Sequence, residues 1–438
     1  MRKKDIIIVR KKVNYVLWKS LKKSIMIRME NAEEKINLNL TNIRMLLYTL
    51  GNPQDFLSFV HVAGTNGKGS VSTYISNILS CAGYTVGKYT SPAVQSKEEQ
   101  IQINEKWISS EEYNRLKEEI RHAGSLMSER EGKVIVPTPF EIETAMALLH
   151  FYRVGCDIVV LEAGLGGQGD ATNVIKNTLV AVLTSISKDH MEYLGESVEE
   201  IAKDEAGVIK PGCIVVSAWQ EALVECIIVK LAAKTNCPVH IVKSKVTPKQ
   251  IQMLGIHQLE NAGVAVEAIK ALKTKGYPVG ADAIKKGLAK AKWFGRFQKI
   301  SVEPTVIIDG AHNVDAVRRL KQSIQSYFPK QRLFLLVGIF KDKEIEEMLS
   351  LMLPIATEVY TVTLPDKTRS VKAEALRDIC TKLSPDTPIF AMESVTAGIK
   401  QMYKKTNRED VIVAFGSLSY LAAVAEQVAK ERSEVKSV

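Results

Sequence analysis

The sequence has no uninterrupted apolar run of the roughly 18 to 20 residues that a helix needs to cross a bilayer. It has six cysteines, which are scattered without any C-x-x-C pair, and several of them lie inside apolar runs. This distribution argues against a disulfide framework or a zinc site and predicts a reducing compartment, the cytoplasm. The cysteines are Cys81, Cys156, Cys213, Cys226, Cys237 and Cys380.

Net charge is nearly absent once the first 28 residues are set aside. These contain ten lysines and arginines and a single acid, Asp5, and account for almost all of the net charge of +10. The body therefore lacks the basic surplus of a nucleic-acid-binding protein, and no such partner is predicted. We favour a dispensable extension over residues 1–28, with a true start at Met26 or Met29. The alternative is a membrane-surface segment, because apolar residues interleave with the basic ones.

The remaining composition predicts a large soluble α/β protein. With 438 residues, of which 46% are hydrophobic and 25% charged, the chain can form two or three domains. Short apolar runs alternate with helical patterns, which is typical of a mostly parallel sheet covered by helices on both faces. The pattern restarts after residues 293–299. We therefore predict a basic N-terminal extension at 1–28, a first domain at 29–297, and a smaller C-terminal α/β, Rossmann-like domain at 298–438.

The stretch HVAGTNGKGS, residues 61–70, predicts a phosphate-binding loop. It follows an apolar run at 56–60 that we predict to be a strand, and it precedes a helical pattern at 71–79. Its three glycines let backbone amides approach a ligand, and the positive end of the following helix favours phosphate. Lys68 adds a charge and Ser70 a hydroxyl suited to Mg²⁺, although an extra glycine separates the two, unlike in the strict P-loop pattern. The alternative is a glycine-rich turn without a ligand.

Three further polar residues, Ser91, Glu162 and His190, follow predicted strands. In open α/β sheets, ligands bind beyond the carboxyl ends of the strands. We therefore expect these side chains to converge with Ser70 and to hold Mg²⁺ through oxygen and imidazole ligands. Taken singly, each has an alternative interpretation, Glu162 as a capping acid and His190 as a loop histidine.

The second domain has a comparable strand end in the stretch DGAHN, residues 309–313. Asp309 is suited to accept hydrogen bonds from ribose hydroxyls, and His312 to reach a phosphate or the reacting carboxyl group. The alternative is a turn in which Asn313 caps a helix. A nucleotide bound between two domains, with the second closing over it, would explain both polar clusters.

Together these residues resemble the folylpolyglutamate synthase and dihydrofolate synthase family, within the Mur ligase superfamily. The similar stretches run in order from about residue 45 to residue 420, and the loop 61–70 and the DGAHN stretch are the most specific. The others are LGNPQ at 50–54, TSP at 90–92, LEAGLGG at 161–167, DATNV at 170–174, Asp189-His190, Leu194-Gly195, His257-Gln258 with Asn261-Ala262, Trp293-x-Gly295-Arg296, and Gly416-Ser417-Leu418.

The resemblance implies a P-loop-containing, Mur-ligase-like, ATP-binding domain followed by the smaller C-terminal ligase domain. It also implies an ATP-dependent amide ligase, in which ATP phosphorylates a substrate carboxylate and the amine of L-glutamate attacks the acyl phosphate. The implied substrates are a folate- or pteroate-like carboxylate and L-glutamate. The implied cofactors are ATP and Mg²⁺, with K⁺ as a further candidate cation, and the expected state is a monomer.

The roles of individual residues are carried over by motif. The implied metal ligands are Ser70, Ser91, Glu162 and His190. The implied ATP contacts are Gly64, Thr65, Asn66, Gly67, Lys68, Gly69, Ser70, Asn261, Arg296 and Asp309. The implied catalytic residues are Lys68, His312 and Glu205.

Three features depart from the family pattern. Glu205 stands where the family has a lysine that is carbamylated by CO₂, and we expect its carboxylate to replace the carbamate. The loop from Ala93 to Ile101 lacks the family's histidine, aromatic residue and arginine, and Gln168-Gly169-Asp170 replaces Arg-Leu-Asp. Two arginines that would anchor an anionic acceptor are thus missing. The alternatives are a paralogue that ligates an amino acid to a non-folate carboxylate, and a nucleotide-binding protein without turnover.

Overall fold

The computed structural model describes residues 38–132 and 134–436, which form two sheets with apolar clusters on both of their faces. The basic segment 1–28 lies outside the described residues, and so does the first part of a helix that the sequence pattern predicts over residues 30–53. Among the described helices, none combines the length and the apolar character that a bilayer span requires.

The first sheet has eight strands in the order β4-β3-β2-β5-β1-β6-β7-β8. All neighbouring strands from β2 to β8 in this order run parallel, whereas β3 and β4 form an antiparallel edge. The mostly parallel sheet predicted from the sequence is therefore confirmed. The strands are β1 (Phe59–Ala63), β2 (Val86–Tyr89), β3 (Ile101–Ile103), β4 (Lys106–Trp107), β5 (Ile158–Glu162), β6 (Thr178–Leu183), β7 (Ile214–Ala218) and β8 (Val239–Val242).

Nine described α-helices accompany this sheet, and two of them begin with a capping box. In these boxes Thr138 pairs reciprocally with Glu141, and Ser197 with Glu200, which satisfies backbone donors that a helix start leaves open. The helices are α1 (Thr41–Thr49), α2 (Lys68–Cys81), α3 (Ser110–Arg130), α4 (Pro139–Val154), α5 (Met191–Leu194), α6 (Val198–Glu205), α7 (Ala222–Lys234), α8 (Ile256–Thr274) and α9 (Ala281–Lys290).

Strand β1 lies in the middle of the first sheet and leads into the glycine loop. Its side chains alternate between the two faces, so that Phe59 packs in one apolar cluster and Val60 and Val62 in another. The strand begins three residues later than predicted and includes His61, which is fully buried with Nε2 2.9 Å from Thr172 Oγ1. The loop is correspondingly shorter than the motif.

The second sheet has six strands in the order β13-β12-β11-β14-β10-β9, and all pairs except β9 with β10 are parallel. Its strands are β9 (Gln298–Val302), β10 (Thr305–Ile308), β11 (Leu333–Val337), β12 (Glu358–Thr361), β13 (Ile389–Ala391) and β14 (Val411–Phe415). The helices after β10 are α10 (Val314–Tyr327), α11 (Ile345–Met352), α12 (Ala373–Leu383), α13 (Val395–Lys405) and α14 (Leu421–Lys436).

Candidate active site

The glycine loop connects β1 to α2 and presents the start of that helix to a cavity. Gly67 precedes the helix with φ of 99°, and no side chain caps the helix. At Gly64, with φ of 122°, an added Cβ would lie 2.3 Å from Thr184 Oγ1, so a larger residue would push the loop away from β6. The first backbone N–H groups of α2 have no acceptor one turn back in the helix, and the helix dipole adds positive potential there. The loop is therefore built for an anion.

Part of the loop backbone is already engaged within the protein. The N–H of Gly64 donates to Glu205 Oε2 at 2.7 Å, and those of Thr65 and Asn66 both donate to the carbonyl of Ser185, at 2.9 and 3.1 Å. Lys68 folds back over the loop, with Nζ 2.6 Å from the carbonyl oxygen of Gly64. The amides at the start of α2 are thus the ones left to contact a phosphate.

The residues predicted from strand ends gather around this loop. Ser91, Glu162, His190 and Glu205 line the same cavity as the loop from Thr65 to Ser70. All the other predicted site residues also line it except Gly64, which lies behind the loop against Glu205. These others are Asn261, Arg296, Asp309 and His312.

Two oxygens in the cavity are buried and lack a hydrogen-bond partner among the described residues, Ser91 Oγ and Glu162 Oε2. Buried polar atoms are normally hydrogen-bonded, and a pair of bare oxygens facing one cavity is typical of ligands for a hard cation. Ser70 lies beside them and its hydroxyl accepts from Gln258 Nε2 at 3.1 Å. The residues present therefore fit a Mg²⁺ ion.

Burial controls the charge of these groups. It raises the pKa of Glu162 and of Glu205 to about 7, although the ammonium group of Lys68 acts against burial at both. Burial likewise lowers the pKa of His190 to about 4, so its ring is neutral at physiological pH and has a lone pair for a metal. A bound cation would stabilise both carboxylates in their charged form.

The second domain closes the cavity through an amide pair. Asn66 Nδ2 donates to Asn313 Oδ1 at 3.2 Å, and Asn313 Nδ2 donates to Asn66 Oδ1 at 3.0 Å. Asn313 Oδ1 also accepts from the N–H of Ala316, so the predicted helix cap exists alongside the contact between domains. The side chain of Asn66 is thus occupied by the second domain rather than free in the loop.

A buried charge network joins the two domains beside His190. Lys343 Nζ lies 2.7 Å from Asp189 Oδ1, and each side chain is 6% exposed. His312 Nε2 lies 3.2 Å from Asp189 Oδ2. Burial by itself would raise the pKa of Asp189, but the hydrogen bond with His312 and the charge of Lys343 hold it far below its usual range. Lys343 was not predicted from the sequence, although it follows β11 and the strand-end rule points to that loop.

Lys343→Met is expected to reduce the free energy of unfolding by about 3 kcal/mol, because it leaves the buried carboxylate of Asp189 without its ammonium partner. Unfolding in urea measures the change. Lys341→Met is the matched control, since that amine is exposed and donates only to the carbonyl of Thr368 among the described residues. Adding Asp189→Asn to Lys343→Met should restore part of the loss. Equal effects of the two lysine substitutions would contradict this account.

The side of the cavity that is predicted to bind the nucleotide is lined by groups from both domains. Both oxygens of Asp309 accept backbone N–H groups, Oδ2 from Phe297 at 2.7 Å and Oδ1 from Ala311 at 2.8 Å. Burial raises the pKa of Asp309 and the nearby Arg296 guanidinium acts against it. Asn261 Nδ2 donates to Gln258 Oε1 at 3.2 Å, and the side-chain amide of Asn261 lies directly beside Gly67. The carboxylate of Asp309 is held rigidly and keeps lone pairs for further donors.

Comparisons with known proteins match both halves of the chain. Residues 62–212 match the Mur ligase middle domain, and residues 295–418 match the Mur ligase glutamate ligase domain. The dihydrofolate synthase/folylpolyglutamate synthase of Bacillus subtilis (strain 168) is 32% identical over 415 residues, which cover 89% of this chain and 94% of that protein.

Solved structures agree with this match. Mycobacterium tuberculosis folylpolyglutamate synthase, complexed with ADP and AMPPCP, has a TM-score of 0.82 at 27% identity and covers 93% of this chain and 98% of its own. E. coli FolC in complex with DHPP and ADP has a TM-score of 0.81 at 28% identity, covering 94% of this chain and 98% of its own.

The two matched domains and the loop between β1 and α2 define an ATP-dependent ligase of the Mur type, which joins an acid to an amino acid. Within that class, the chain belongs to the dihydrofolate synthase/folylpolyglutamate synthase family. The predicted family, fold class and ligase activity are thus confirmed. The alternatives of a non-folate ligase and of a protein without turnover find no support in the comparisons.

Proposed function

We propose that this protein uses ATP to join L-glutamate to the carboxylate of a pteroate- or folate-type acceptor, through an acyl phosphate. The observation that carries the proposal is the cavity shared by both domains, in which the free helix start of the glycine loop faces bare Ser91 and Glu162 oxygens. A relative named dihydrofolate synthase/folylpolyglutamate synthase supports the choice of acceptor and amino acid.

In this proposal Mg²⁺ is held by Ser70, Ser91, Glu162 and His190, with Glu205 as a further carboxylate. The ion would neutralise charge on the phosphate oxygens of ATP. The ligand set of hydroxyl, carboxylate and neutral imidazole suits it, and Glu162 supplies a permanent charge once a cation offsets its burial. K⁺ stays a further candidate cation.

The chain's own groups stabilise the phosphoryl group as it moves. Phosphoryl transfer depends mainly on positioning and on fixed positive charge. Here the amides of Gly67, Lys68 and Gly69 and the ammonium of Lys68 supply that charge, with Lys68 leaving the Gly64 carbonyl to contact the phosphate. His312 is proposed to lie near the transferred phosphate, and Asn261, Arg296 and Asp309 to hold the nucleoside.

The acceptor side differs from the family pattern, and we propose that the acceptor lies along the loop that follows Ser91-Pro92. Gln100 stands where the family has its arginine, and the preceding Glu99 accepts hydrogen bonds from the backbone N–H groups of Val94 and Gln95. The loop is thereby closed on itself, and anionic groups of the acceptor must be met by other basic residues.

We also propose a monomeric cytoplasmic enzyme, with no nucleic-acid partner and no membrane contact unless residues 1–28 supply one. The division at residues 297 and 298 is kept as the proposed domain boundary. It is supported by the change of sheet there, because β9 starts at Gln298 and pairs only with strands of the second sheet among the described strands.

The proposal predicts that phosphate release will require ATP, L-glutamate and an acceptor together. Purified protein is incubated with dihydropteroate, tetrahydrofolate and a panel of other carboxylates, while phosphate and product mass are measured. A product heavier by one glutamyl residue is expected with a pterin-containing acceptor. ATP hydrolysis without an acceptor, or ligation only to carboxylates that lack a pterin, would contradict the assignment.

A further inference from the structure

A second cavity, of about 780 Å³, lies beside the ATP site. Its volume is in the range of about 300 to 1,000 Å³ that is usual for small-molecule sites. One wall is the loop after Ser91-Pro92, and the opposite wall is the segment 290–299 that joins the two domains. The proposed function places the acceptor along the first of these walls but assigns no part of the acceptor to the cavity itself.

The second cavity borders the ATP site. Ser91 lines the ATP site, and three residues later Val94 lines the second cavity, so one loop runs from the first into the second. Arg296 lines both cavities. Trp293 forms the wall between them, because a Cβ added to Gly69 at the start of α2 would lie 2.7 Å from its Nε1. An extended molecule whose reacting end lies in the ATP site would therefore enter the second cavity.

The lining of the second cavity carries a surplus of positive charge, since five basic side chains face two carboxylates. Both carboxylates already have hydrogen-bond or ion-pair partners within the protein. Glu105 Oε2 lies 2.7 Å from Nζ of buried Lys88, and Glu99 accepts from backbone N–H groups of its own loop. Among the described residues, Lys290, Lys292 and Lys299 have no carboxylate within ion-pair distance, and all three are exposed. These amines remain to bind an anion.

The rest of the lining suits a flexible chain that contains amide bonds. Gln95, Gln252 and Gln298 offer side-chain amides that can both donate and accept. Trp107, which is 46% exposed, and Trp293 offer flat apolar faces for methylene groups. Carboxylates, amide bonds and methylenes in alternation are the composition of a chain of linked glutamates.

We propose that the second cavity binds the oligoglutamyl tail of the acceptor, with the terminal carboxylate in the ATP site and earlier glutamates along the lysines of segment 290–299. This inference rests on the proposed function, because repeated ligation of glutamate is what produces such a tail. The positive lining takes over the anchoring that the arginine-poor acceptor loop does not supply. The enzyme therefore binds a tailed acceptor better than an acceptor with a single glutamate.

The steady-state test uses Lys290→Glu/Lys292→Glu. The KM for a triglutamylated folate is expected to rise about tenfold, because the change replaces attraction by repulsion and each 1.4 kcal/mol is a factor of ten. The KM for ATP and for a monoglutamylated folate should stay near the wild-type values. Lys285→Glu/Lys286→Glu is the matched control, since these exposed lysines lie on helix α9, which ends at Lys290, but outside the cavity. Equal changes for both acceptors, or for both variants, would overturn the inference.

Direct binding separates this inference from the proposed function. A γ-linked pentaglutamate without a pterin is titrated into the full chain, and tryptophan fluorescence is followed, with inorganic tripolyphosphate as a generic polyanion. We expect saturable binding of the peptide and poor displacement of the bound peptide by tripolyphosphate. The Lys290→Glu/Lys292→Glu variant should bind the peptide about tenfold more weakly. If the protein ligates glutamate but binds tripolyphosphate as tightly as the peptide, the cavity inference is refuted and the proposed function is not. If the protein binds the peptide but glutamylates no pterin, the proposed function is refuted and the cavity inference is not.

Discussion

Lys68→Ala is expected to lower ligase turnover by about 10³-fold, since it removes the ammonium group that we propose to stabilise the phosphoryl group being transferred. This amine is held 2.6 Å from the carbonyl of Gly64, so the side chain is already positioned over the loop. Phosphate release with saturating ATP, acceptor and glutamate measures the effect. The KM for ATP should change less than kcat, because the amides at the start of α2 remain.

The control for this substitution is Lys106→Ala, which removes an exposed lysine from strand β4 and should leave turnover unchanged. Thermal unfolding with and without ADP shows whether the Lys68 variant still folds and binds nucleotide. Turnover within a fewfold of wild type in a folded Lys68→Ala variant would refute the assignment of the loop as the phosphate site.

Glu205→Gln is expected to lower kcat by about 100-fold, a loss typical of disturbed metal sites. Glu205 is 2% exposed, and its Oε2 accepts the N–H of Gly64 at 2.7 Å. The amide oxygen of Gln can accept the same hydrogen bond, so the loop should keep its shape while the negative charge is lost. The apparent affinity for Mg²⁺, measured from activity at increasing Mg²⁺ concentration, should fall together with kcat. Normal activity would show that Glu205 only supports the loop.

Glu205→Lys tests whether a carbamate can take the place of the carboxylate. The Glu205→Lys variant should be inactive in CO₂-free buffer. It should regain activity when bicarbonate is added, because carbamylation of the lysine amine returns an anionic oxygen to the site. Wild-type protein, measured in parallel, should not respond to bicarbonate. A wild-type enzyme that loses activity without CO₂ would disprove replacement of the carbamate by Glu205.

Much of the architecture follows from local sequence patterns. The sequence pattern predicts strands at 86–90, 157–161, 239–242, 305–308 and 411–415, because each is a short apolar run between polar segments. The strands β2, β5, β8, β10 and β14 lie within one residue of these bounds. The antiparallel edge strands and the helices α3, α7 and α14 were not predicted. The spacing of Tyr113, Leu116 and Ile120, all buried, is nevertheless helical and identifies α3 within a highly charged stretch.

The candidate site likewise has residues that the sequence predicts and contacts that it does not. The sequence alone predicts the glycine loop, because a strand, a turn and a helix start are local structures within ten residues. It also determined that Ser91, Glu162 and His190 would meet that loop, since parallel strands end at the same edge of a sheet whatever the details of packing. The family resemblance added Glu205, and the structure places its carboxylate against Gly64.

The way in which the two domains meet could not be predicted from local sequence patterns. Asn66 and Asn313 are 247 positions apart, and Lys343 and Asp189 are 154 apart, so no periodicity or spacing connects them. The second cavity likewise exists only because the segment 290–299 lies opposite the loop after Ser91-Pro92. Such contacts depend on how two separately packed sheets dock, and that depends on the shape and charge of whole surfaces rather than on a local pattern.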